Sequence, residues 1–110
     1  MTISTLATLT FLSAAFLLAQ SGKEQASTGE ALFQQQCIVC HGPDGHAQTE
    51  LGKKLGAADL SSDAIQQQTD SQLAKMVKDG KGKMRAFDRK LKEDEIHVVI
   101  TYIRHLATKQ

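Results

Sequence analysis

The sequence predicts an all-α fold in a single domain, and three observations carry that expectation. Apolar residues in the later half of the chain recur at i, i+3 and i+4, the spacing of one helix face. Ser or Thr followed three residues on by Glu or Gln stands at 27–30 and again at 69–72, as in a capping box. No β-branched or alternating run flanks the two cysteines, so nothing beside them reads as a strand. A length of 110 residues allows one domain.

Residues 3–19 are apolar with Ser and Thr interspersed and carry no charge; the first charged side chain is Lys23. That composition marks an export signal. Ala19 and Ser21 supply the small residues a signal peptidase reads, so residues 1–21 are expected to be removed and residues 22–110 to form the domain. Residues 1–10 hold no Lys or Arg, which keeps an uncleaved anchor as the alternative, although the run is shorter than the ~20 residues of a span.

The remaining elements follow in order. Ser27 and Glu30 cap a first helix running through Ala31, Leu32 and Phe33 toward Cys37. Residues 42–59 contain four glycines, the only proline and scattered charges, and are expected to form one long loop. A short helix is expected within 62–68. Thr69 and Gln72 open the next, with Leu73, Met76 and Val77 on one face and Gly80 closing it. The last helix carries Ile96, Val99, Ile100, Ile103 and Leu106 on one stripe. Glu93, Asp94 and Glu95 lie at its positive end, and Arg104, His105 and Lys109 at its negative end. Lys92 is a poorer cap than Ser, Thr or Asp, so the first turn is expected to fray.

The chemistry is concentrated in Cys37-Ile38-Val39-Cys40-His41, a C-x-x-C-H string with the spacing of covalent haem attachment. Two thiols one helical turn apart can both add to the vinyl groups on one porphyrin edge, and the next residue supplies a proximal imidazole. A zinc ribbon needs more ligands than two cysteines offer. A thioredoxin-like motif needs a β-α-β setting. A plain disulfide leaves the adjacent His without a reason. Haem c, one per chain and covalently held, is therefore the expected cofactor. With no Trp, one Tyr and four Phe, of which Phe11 and Phe16 fall in the leader, the domain is short of large core side chains. A haem would serve as its core filler.

The sixth iron position falls to Met84, in Gly80-Lys81-Gly82-Lys83-Met84, a stretch too polar and glycine-rich to be core. Met76 lies on a helix stripe and reads as core packing. His97 and His105 flank the stripe of the last helix and read as surface residues, and His46 follows His41 too closely to reach the far face.

Together these features resemble class I cytochrome c, in its small single-domain, mono-haem bacterial form, across residues 22–110. The resemblance implies three to five helices wrapped around one haem, with the first and last helices packed on each other. It pairs Gly29 and Phe33 with Val99 and Tyr102. It makes Ala57-Ala58-Asp59-Leu60 the turn whose central carbonyl accepts a hydrogen bond from His41, with Leu60 against the haem. Two positions depart from the family pattern, Arg85 and Ala58, where Pro is usual.

His41 and Met84 on one iron leave no open site for substrate. The expected function is outer-sphere transfer of single electrons through the haem edge, with no catalysis. The alternatives are a ligand-binding or sensory haem protein with an open sixth position, and a haem-free thiol–disulfide protein. The net charge of +1 singles out no partner, but Lys78, Lys81, Lys83, Arg85, Arg89, Lys90 and Lys92 face only Asp79 and Asp88 within residues 78–92. That excess suits docking of redox proteins with an acidic face. No aromatic interleaving points to nucleic acid. A monomer in the periplasm, or otherwise exported, completes the reading, with membrane contact only if the leader stays.

Overall fold

The structure is a computed structural model that describes residues 28–110. The leader, its cleavage site and Ser27 lie outside the described residues. Six helical segments occur among the described residues, which contain no strand. Residues 28–36 form α1. It is followed by α2 (Ile38–His41), α3 (Glu50–Leu55), α4 (Asp63–Gln66), α5 (Asp70–Asp79) and α6 (Glu93–Thr108). None of them is long and apolar enough to cross a membrane.

The core gathers on α6. Ile96, Val99, Ile100, Ile103 and Leu106 are buried as the stripe predicts, together with Tyr102. They pack with Leu73 and Val77 of α5, with Phe87 and Leu91 from the segment between α5 and α6, and with Phe33 of α1. Each such side chain contributes about 1.5–3 kcal/mol by leaving water. The α1–α6 crossing is the pairing expected from the resemblance. The Phe33 and Tyr102 rings stand 5.3 Å apart at 54°. A Cβ on Gly29 would lie 2.8 Å from Tyr102 Cβ and collide with the Val98 carbonyl oxygen, so only glycine lets these backbones approach.

Capping explains where the helices start. Thr69 Oγ1 accepts from Gln72 N at 3.1 Å while Gln72 Oε1 accepts from Thr69 N at 2.9 Å, completing the box read from the sequence. Two expectations are corrected. Residues 42–59 are not one loop: α3 forms inside them because Thr49 caps it, accepting from Gly52 N at 2.9 Å, and Gly56 ends it in the left-handed conformation at φ 68°. The first turn of α6 is not left bare either. Glu95 reaches back so that its Oε2 accepts from Lys92 N at 2.8 Å, and within the first turn Asp94 Oδ1 accepts from Glu95 N at 3.0 Å.

Arg104 fastens the middle of the chain to α6. Its guanidinium donates to Asp70 Oδ1 at 3.0 Å, to the Gln66 carbonyl at 2.8 Å and to the Gln68 carbonyl. One planar fork thus satisfies the link between α4 and α5 and sets α5 against α6.

Candidate haem-attachment site

The two thiols sit where α1 breaks into α2. Cys37 N donates to Phe33 O at 2.8 Å, so the chain is still helical on entering the motif, and His41 N donates to Cys37 O at 3.0 Å. Cys37, Cys40 and His41 therefore share one turn, ended by Gly42 at φ 73°. Both cysteines are free and half-buried. Burial pushes the Cys37 thiol up to about 11; the Arg85 guanidinium partly opposes that shift and the Cys40 thiol adds to it.

His41 Nδ1 lies 2.9 Å from the Ala58 carbonyl oxygen. A carbonyl only accepts, so Nδ1 carries the proton and Nε2 keeps its lone pair for a metal. The geometry is the one the resemblance assigned to Ala58, and it forms without a proline there. Leu60 follows in the same turn, half-buried against the core, with its N–H donated to Gly45 O at 2.8 Å.

Met84 ends a tight turn in which Lys81 N donates to Met84 O at 3.0 Å and Met84 N to Lys81 O at 2.9 Å. Gly80 and Gly82 supply the positive φ values, 77° and 57°, that the turn requires. The side chain is half-buried and packs against the core. Met76 is half-buried in the same cluster, so burial does not separate the two methionines. His97 and His105 are exposed on α6.

Thr49 and Gly52 are the residues that sequence reasoning missed. The Thr49 hydroxyl is shared between the carbonyls of Val39 at 2.9 Å and Cys40 at 3.1 Å, which are end groups of α2, while its oxygen caps α3. Gly52 packs against Cys40 O so closely that a Cβ would collide with it. Thr49 followed by Glu50 was the available signal, a cap with an acid in the first turn.

The donor set fits a haem: two free thiols on one turn, an imidazole with its remote nitrogen committed elsewhere, and a half-buried thioether on a separate segment. Residues 24–103 match the family model described as "Cytochrome C oxidase, cbb3-type, subunit III". The chain is 31% identical over 87 residues to cytochrome c6 of Leptolyngbya boryana, covering 76% of this chain and 95% of that protein. With cytochrome c6 of Gloeothece citriformis (strain PCC 7424) it shares 34% over 85 residues, 76% of this chain and 74% of the relative. The solved structure of the KustC0563 c-type cytochrome superposes with a TM-score of 0.65 at 30% identity, over 71% of this chain and 95% of that one. The fold and the thiol–imidazole turn define a c-type cytochrome with a covalently held haem c. The chain belongs to the cytochrome c family, as a small class I member that carries electrons.

Proposed function

We propose that the chain is a single-electron carrier of an exported respiratory or periplasmic electron-transfer chain, with Cys37 and Cys40 holding one haem and His41 and Met84 as its axial ligands. The observation that carries this reading is the His41 Nδ1 to Ala58 carbonyl bond of 2.9 Å, which leaves Nε2 as the metal-binding nitrogen one residue beyond the second thiol. Haem bound here supplies a one-electron Fe(III)/Fe(II) couple. The Ala58 carbonyl holds the imidazole in one tautomer, and in this reading Met84, on its hydrogen-bonded turn, supplies the thioether and Leu60 packs against the haem. A thioether favours Fe(II) and raises the potential relative to two imidazoles. With both axial positions taken, the protein performs no chemistry on a substrate.

Lys78, Lys81, Lys83, Arg85, Arg89, Lys90 and Lys92 are all exposed, and their guanidinium and ammonium groups suit an acidic docking face on a redox partner. We assign residues 1–21 to a cleaved signal and residues 22–110 to a monomeric periplasmic domain. The absorption spectrum of the ferric protein tests the ligand set. A weak band near the red end that disappears in Met84→Ala is expected, and a five-coordinate spectrum in the parent protein would instead mean an open, ligand-binding iron.

A further inference from the structure

Away from the proposed ligands, His46, Asp59 and Ser61 come together among the described residues. His46, in the loop after α2, has Nδ1 3.1 Å from Asp59 Oδ2. Ser61 Oγ lies 2.6 Å from Asp59 Oδ1, to which it donates, and 3.3 Å from the same His46 nitrogen. The Ser61 N–H also donates to Asp59 Oδ1, at 2.9 Å. A carboxylate only accepts, so Nδ1 holds its proton in the neutral ring, and Nε2 is the nitrogen that titrates.

Asp44, on the same loop, accepts from His46 N at 3.0 Å and adds a second negative charge. The last turn of α6 packs Leu106 near Gly45, and Gln110 donates to the Asp44 carbonyl at 3.0 Å. His105 in that turn and Lys109 just after it are exposed and bond to neither His46 nor Asp59. Among the described residues, His41 is also titratable and is joined to the pair through a single peptide unit. Asp59 follows Ala58, the residue whose carbonyl holds His41, and the two loops are tied by the Leu60 to Gly45 bond of 2.8 Å.

We propose that His46 and Asp59 form a redox-linked proton site, in which reduction of the bound haem draws one proton from water onto His46 Nε2 and oxidation releases it. The electron comes from the donor protein and the proton from solvent, so each one-electron reduction is matched by uptake of up to one proton at His46. The coupling is electrostatic. Oxidised iron carries one more positive charge and disfavours imidazolium nearby, and linkage requires that imidazolium in turn favour reduced iron. The connection through the turn acts in the same sense, because loss of the His46 charge leaves Asp59 unneutralised beside the carbonyl that accepts from His41. The hydrogen bond to Asp59 is the main reason the His46 pKa is raised above its ordinary value of 6.5.

The sign is fixed. Below the oxidised-state value of His46 the ring is charged in both states and the potential is at its upper plateau. It falls as pH rises between the oxidised-state and reduced-state values, then levels.

The inference rests on His41 being the proximal ligand. The test is NMR titration of the His46 ring in the oxidised and the reduced holoprotein, combined with midpoint potentials across pH 5 to 9. A higher His46 value in the reduced protein, matched by a fall in potential over the same range, is expected. His46→Gln should abolish that inflection and Asp59→Asn should move it to lower pH. Identical His46 titrations in the two redox states overturn the proposal, and this measurement needs no variant to fold. Failure of the ligand assignment is a separate result, visible as the loss of the His/Met absorption spectrum in the parent protein.

Discussion

The backbone of Gly52 lies against the carbonyl oxygen of Cys40 with no room for a methyl group between them. The contact makes α3 a buttress for the turn that carries the thiols, and Thr49 completes it by donating to the carbonyls of Val39 and Cys40. Gly52→Ala should cost about 1–3 kcal/mol, the usual range for overpacking, and lower the yield of haem-loaded protein. Thermal melts and the haem-to-protein ratio check this. Thr49→Ser, which keeps the hydroxyl, should behave much more like the parent than Thr49→Val.

Attachment depends on both thiols. Cys37→Ala and Cys40→Ala should each lose one thioether bond and leave little holoprotein, since the cofactor is also part of the core. Mass spectrometry after acid–acetone extraction measures what stays bound. A colourless double variant that accumulates normally and folds would sink the haem assignment.

The methionines are expected to separate in function although they do not in burial. Met84→Ala should open the iron to added imidazole and lower the midpoint potential. Met76→Leu, a volume-conserving exchange, should change stability by less than about 1.5 kcal/mol and leave the spectrum alone. Exchange of the two phenotypes would make Met76 the ligand.

Docking has a salt signature. At ~0.15 M ionic strength charges more than about 8 Å apart are largely screened, so electron exchange with an acidic partner should slow as salt is added. Lys81 and Lys83 are exposed on the Met84 turn, and changing both to Glu should reproduce that slowing with little movement of the potential. Stopped-flow rates that are flat in salt and unchanged in the double variant would assign these charges to solubility.

What the sequence made legible was local. The Thr69–Gln72 box and the α6 stripe depend on residues three and four apart, and both form as read. Helix α3 was hidden because Glu50, Leu51, Lys53 and Lys54 are exposed, so it has no apolar stripe of its own. Its stability comes from the Thr49 cap and from contact with α2, which no window along the sequence contains. The start of α6 looked uncapped because the cap comes from Glu95, three residues inside the helix. The His46–Asp59 pair spans 13 positions and becomes visible only once the Leu60 to Gly45 bond brings the two loops together.

The crossing of α1 over α6 also bears on the order of events during synthesis. Gly29 and Phe33 leave the ribosome before Val98 and Tyr102, against which they close and which follow them by 69 positions. A chain emerging from its N-terminus therefore carries α1, and the Cys37–His41 turn that follows it, before α6 exists to pack on α1. Contacts of such long sequence separation form slowly. The topology itself thus keeps α1 without its partner until α6 has been made.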